Sequence, residues 1–186
     1  HIIVPHIMGF GNETNRTFHT DTCIAELAEF IKSLHKKVMI VGFSLGAQLA
    51  FRLISEHEDL FNCAIIVSPW LIKEEPFASK IMQLNLKQYS LLNNNLICNF
   101  IAIMNGMISV PIRKSFVEQC QQVTEETVRN VVNNSITLNS IPGFADVSIP
   151  IVALAGEKEE MVIHDSVRKM AEINKNCRCE IWHKAA

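Results

Sequence analysis

A serine hydroxyl becomes a working nucleophile only where a histidine can take its proton and an acid can orient that histidine. Ser44 stands between two glycines in Gly42-Phe43-Ser44-Leu45-Gly46, acidic side chains gather far downstream at Glu157, Glu159, Glu160 and Asp165, and histidines are spread over the chain. Those residue types suit nucleophilic acyl transfer. Metal chemistry has less to draw on. The six cysteines (Cys23, Cys63, Cys98, Cys120, Cys177 and Cys179) lie mostly in apolar runs, and no pair with zinc-site spacing is matched by a second. Cys177 and Cys179, two apart in an extended segment, place both sulfurs on one sheet face. Buried free thiols in a reducing compartment are expected, which makes the expected location cytoplasmic.

The elements around Ser44 must present it. Val38-Met39-Ile40-Val41 reads as a short buried strand and Ala47 to Ile54 as a helix with Leu49, Ala50, Leu53 and Ile54 on one face. Strand, sharp turn and helix follow one another without a spacer. Both glycines are expected to relieve crowding where the strand and helix backbones nearly touch. A G-x-S-x-G sequence in this setting resembles the nucleophile elbow of the α/β-hydrolase family. The fold class implied is α/β: a mostly parallel sheet flanked by helices, an incomplete α/β-hydrolase core with a helical cap insertion.

Further stretches extend the resemblance. Ile2-Ile3-Val4, ended by Pro5 and followed by the glycine-punctuated His6 to Gly11 loop, is similar to the family's fourth strand and its turn, with His6 where relatives often carry aspartate. Asp21 or Thr22 is expected to cap a helix whose stripe is Ile24, Leu27, Ala28, Ile31 and Leu34. Cys63 to Val67 and Ile149 to Gly156 are apolar runs that suit strands of a covered parallel sheet. Asp165 is expected to cap the next helix, and Cys177 to Trp182 alternates as the eighth strand. Between these blocks, Phe77–Leu92, Leu96–Met107, Ile112–Gln121 and Glu125–Val132 read as helices, with Thr124 as an N-cap. The implied organisation is core over 1–73, helical cap over 74–140 and core again over 141–186. Met82, Phe100, Met104, Met107 and Phe116 of the cap could either line an acyl pocket or pack its helices.

The resemblance assigns the roles. Ser44 is the nucleophile and the N–H of Leu45 one oxyanion donor. Glu159 falls where relatives carry the aspartate of Gly-x-x-Asp, with Glu157, Glu160 and Asp165 as neighbours that could compete. The base is either His183, directly after the eighth strand, or a histidine beyond Ala186. The other histidines (His1, His6, His19, His35, His57 and His164) fall away from the base position and are expected to be structural. The second oxyanion donor normally comes from the loop after the third strand, upstream of His1. These gaps lead to the expectation that the chain is an internal piece of a longer hydrolase, covering the fourth to eighth strands, and is itself inactive or nearly so.

The implied reaction is hydrolysis of a small or acyl-chain carboxylic ester through an acyl-enzyme, with no metal and no organic cofactor. Thioester hydrolysis, carbon–carbon bond hydrolysis and perhydrolysis share the core. Haloalkane dehalogenase is disfavoured, since its relatives use aspartate at the Ser44 position. The alternative is a non-catalytic relative that binds a ligand or a partner. Composition bounds the partners. With 186 residues, 48% hydrophobic, 19% charged and a net charge of -2, the chain suits a soluble domain without a polyanion-binding surface, so nucleic acid is not expected. The tract from Leu96 to Val110, interrupted by Asn99, Asn105 and Gly106, is too short and too polar to span a bilayer. The opening His1 to Pro5 is not expected to act as a secretory signal, and the three Asn-x-Ser/Thr sites from Asn12, Asn15 and Asn133 would matter only in a secreted protein.

Overall fold

In the computed structural model, residues 1–92, 94–104 and 107–185 are described. The chain divides into two compact units, residues 24–74 with 135–186 and residues 1–23 with 75–134.

The first of these units is built on a parallel sheet. Helix α1 (Thr20–Ser33) leads to strand β1 (Val38–Phe43), helix α2 (Leu45–Glu56) and strand β2 (Phe61–Val67). After the excursion into the other unit come β3 (Ile151–Gly156), α7 (Met161–Ile173) and β4 (Cys177–Trp182). All three pairings are parallel and the spatial order is β1-β2-β3-β4. These elements form where apolar runs alternate with amphipathic helices, because a parallel strand needs a crossover to return the chain. The helix α2 packs on β1 and β2, and α7 packs on β3 and β4. The core is drawn from Phe51, Leu53 and Ile54 of α2, Phe61 and Ile66 of β2, Ile151 of β3 and Met170 of α7, all essentially without solvent contact. Phe144 stacks at a tilt on Phe51, with ring centroids 4.8 Å apart. The buried Asn174 amide donates to the carbonyls of Phe144 and Val147 at 2.7 and 2.8 Å, satisfying backbone that a loop beneath the sheet would otherwise leave bare.

The other unit carries α3 (Phe77–Leu92), α4 (Asn95–Met104), α5 (Val110–Cys120) and α6 (Glu125–Val132). Packing runs from α6 to α3, from α3 to α4 and from α4 to α5. Thr124 caps α6 as expected, accepting from the Thr127 N–H at 3.1 Å. Residues 1–23 join these helices for a visible reason. The Phe18 N–H donates to Thr127 Oγ1, Asn130 Nδ2 donates to the Phe18 carbonyl, and Gly9, at φ +88, lies so close to Thr127 that a Cβ would stand 2.8 Å from its methyl.

Several expectations are corrected. Ile2-Ile3-Val4 forms no strand: the segment has no regular structure and the three side chains are 94%, 53% and 80% exposed. β-Propensity needs a neighbouring ladder to become a strand, and among the described residues nothing pairs with this segment. Neither Asp21 nor Thr22 stands before α1, which already begins at Thr20. Asp165 does not cap α7 either. The helix starts at Met161 behind Glu160, and Asp165 lies inside it, 3.5 Å from Arg168. The strand expected from Ile149 starts at Ile151, once Pro150 is past. The expected interruption at Asn105 and Gly106 lies outside the described residues. Among the described residues, no helix is long and apolar enough to cross a membrane.

Candidate active site

Ser44, Leu45, Glu159 and His183 follow the carboxyl ends of β1, β3 and β4, the edge where open parallel sheets bind ligands. β1 ends at Phe43, in register with Val67 of β2, and the ladder continues one residue further as the Ser44 N–H donates to the Val67 carbonyl at 3.0 Å. Ser44 then turns sharply, at φ 53 and ψ -114, and the next residue begins α2. Such a backbone is strained for any residue with a Cβ and persists only where its surroundings enforce it. Gly42 supplies the enforcement. A Cβ there would meet the Gly46 carbonyl oxygen at 2.2 Å and the Ala47 Cα at 2.8 Å, so strand and helix could not approach.

Gly46 departs from expectation, since a Cβ at that position meets nothing within 4 Å. Only one of the two glycines is required by space. Ser44 itself is exposed. Leu45 is the first residue of α2, and an N–H at that position has no acceptor within its own helix.

Glu159 sits on the turn after β3. Its Oε1 accepts the Ser68 hydroxyl at 2.6 Å, while its Oε2 is buried and, among the described residues, has no hydrogen-bond partner. A buried acceptor without a donor is rare and asks for an explanation. The backbone N–H of Glu159 donates to the Gly156 carbonyl at 3.2 Å, which fixes the turn from which the side chain springs.

His183 does not meet Glu159. Its Nδ1 lies 2.7 Å from Glu157 Oε2, and its side chain is 73% exposed. The same Glu157 oxygen accepts the Lys184 N–H at 2.8 Å. Backbone bonds from the Glu157 N–H to the Trp182 carbonyl and from the Lys158 N–H to the Ala185 carbonyl extend the β3–β4 ladder past both strand ends. Glu157 thus ties the two turns together. Among the described residues, no hydrogen bond joins Ser44 to an imidazole.

The remaining histidines with partners are structural. His164, buried on α7, places Nε2 2.8 Å from the Gly156 carbonyl, and His6 Nδ1 accepts the Asn12 N–H at 2.7 Å inside its loop. Burial pushes the Cys120 and Cys177 thiols up to about 12, so both stay protonated and unreactive at neutral pH.

Sequence reasoning missed Ser68 and held Glu157 only as a competitor of Glu159. Ser68 carried a signal, being the residue directly after β2, the strand beside the nucleophile strand. Glu157 was one of four neighbouring acids, and nothing in its spacing separates it from Glu159.

A family model described as the alpha/beta hydrolase fold matches residues 1–184. No curated protein matches the sequence. Among solved structures, the chain is similar to Rv0554 from Mycobacterium tuberculosis at 16% identity and TM-score 0.70, over 96% of this chain and 69% of that one. It is also similar to a structure from a study of carboxylesterases of the thaumarchaeon Nitrososphaera gargenis, at 12% identity and TM-score 0.66 over 91% of this chain and 65% of the other. The thioesterase domain from the curacin biosynthetic pathway matches at 14% identity and TM-score 0.64, covering 95% and 72%. Likeness at these identities concerns the fold.

Proposed function

Because the chain belongs to the α/β-hydrolase family, we propose that it provides the nucleophile, the orienting acid and one oxyanion donor of a serine hydrolase acting on a small or acyl-chain carboxylic ester. The observation that carries this reading is Ser44, exposed on a strained turn that Gly42 alone makes sterically possible. Ser44 Oγ attacks the ester carbonyl, its proton passes to an imidazole, and the leaving alcohol takes that proton as the acyl-enzyme forms. Water then repeats the sequence on the acyl-serine. The Leu45 N–H faces the oxyanion of each tetrahedral intermediate, a donor whose loss typically costs about 100-fold or more in rate.

Glu159 is the orienting acid, and its unpartnered Oε2 is the acceptor available to an imidazole N–H. The base is His183 or a histidine outside these residues. For His183 to serve, its Nδ1 must exchange Glu157 for Glu159. Phe100 and Met104 are 62% and 71% exposed, while α4 packs through Cys98 and Ala102. We place the protein in the cytoplasm, with no resident cofactor.

The competing reading is a binding module that keeps the fold without turnover, favoured by the parked position of His183. A fluorophosphonate probe applied to the full-length protein separates them. Labelling that disappears in Ser44→Ala is expected; absence of labelling, or equal labelling of the variant, removes Ser44 as nucleophile.

A further inference from the structure

The strand between the nucleophile and the acid ends in a second serine with unusual backbone. Ser68 follows β2 at φ +54, nearly the value at Ser44. Its N–H donates to the Leu154 carbonyl at 2.7 Å, so the residue is pinned to β3 before the chain turns away at Pro69. From that fixed point its hydroxyl reaches Glu159 Oε1 at 2.6 Å, across 91 positions of sequence. A glutamate reaches its carboxylate through three rotatable bonds, and the last of them is broad and loosely held. A donor mounted on rigid backbone removes that freedom. With Oε1 engaged, rotation of the carboxylate is restrained and the buried Oε2 is left, among the described residues, without a partner of its own.

We propose that Ser68 is a positioning residue for the reaction: its hydroxyl holds the Glu159 carboxylate so that Oε2 presents a single, oriented acceptor to the catalytic imidazole. The inference rests on the assignment of Ser44 and Glu159 made above. It predicts that Ser68 acts on turnover and does so only through Glu159.

The test uses full-length protein and a p-nitrophenyl ester. Ser68→Gly removes the hydroxyl and suits the left-handed backbone, so the fold is retained; kcat is expected to fall about tenfold with KM within about twofold of wild type. Ser68→Asn also tolerates that backbone and returns an N–H donor, and it should recover part of kcat. In a Glu159→Gln background, Ser68→Gly should produce little further loss, because the two act as one unit. Unchanged kcat in Ser68→Gly overturns the proposal, as does a full second loss in the double variant. Fluorophosphonate labelling of the same proteins tells the two failures apart. If Ser44 is labelled specifically while Ser68→Gly is silent, the positioning role falls alone; if Ser44→Ala labels as wild type does, the hydrolase assignment falls with it.

Discussion

The carboxyl end of β1 and the joined ends of β3 and β4 hold different parts of the proposed site, and they hold them by different forces. At Ser44 the agent is steric: a positive φ, a glycine with no room for a methyl group, and a helix that starts one residue later. At His183 the agent is a set of exposed polar contacts gathered on one Glu157 oxygen. Steric placement is all or nothing. Exposed hydrogen bonds and ion pairs contribute about 1 kcal/mol or less and can be exchanged for others. The nucleophile's place is fixed by the chain itself, whereas His183 is held by contacts it can give up, as its proposed pairing with Glu159 requires.

The sharpest way to break this contrast is at the glycines. Gly42→Ala drives a Cβ into the Gly46 carbonyl and should lower stability by about 3 kcal/mol or more, read as a shifted urea midpoint. Gly46→Ala should instead be neutral or about 0.5 kcal/mol more stable, since its Cβ meets open space and alanine favours helix. Equal effects at both positions would refute the steric account.

Next in size come the two glutamates. Glu159→Gln in the full-length protein should reduce kcat by about 100-fold or more, because an amide there can favour the wrong imidazole tautomer. Glu157→Gln should stay within about threefold, as it disturbs only replaceable contacts. The reverse order would make Glu157, already beside His183, the orienting acid.

The smallest effect calibrates both ends against a polar staple at the opposite edge of the sheet. Ser148 donates its hydroxyl and its N–H to Glu58 Oε1, and these bonds hold the Glu58 carboxyl below its usual 4.5. The folded chain therefore keeps this carboxylate ionised to lower pH than the unfolded chain does. The stabilisation is present in full above about pH 4.5 and is lost as pH falls through the lower folded value. Between pH 6 and pH 3, wild type should lose more stability than Glu58→Gln, by less than about 1 kcal/mol for so exposed a group.

Where one run of residues carried its own pattern, the sequence was legible. The need for Gly42 before Ser44, the stripe of α1, the limits of α3, α6 and β4, and the parallel sheet class could be read because each depends on local periodicity or on a turn, whereas Gly46 did not show the crowding expected of it. The Ile2 to Val4 segment misled because its apolar residues say nothing about whether a neighbouring strand exists. Asp165 misled because acids suit both a cap and the exposed face of a helix. The proposed acid position was half legible: the resemblance to Gly-x-x-Asp pointed to Glu159, but the contact of Glu159 with Ser68 spans two strands, and the attachment of His183 to Glu157 depends on how two turns meet. Neither is encoded in any single stretch.

The shared left-handed backbone of Ser44 and Ser68 also bears on how such a site can evolve. Threonine is the other aliphatic alcohol among the standard residues, yet its branched Cβ makes it a poor occupant of positive φ. At both positions the main chain has narrowed the choice of alcohol before any demand of the reaction is made. A lineage that drifts from serine here therefore loses the hydroxyl sooner than it trades one for another.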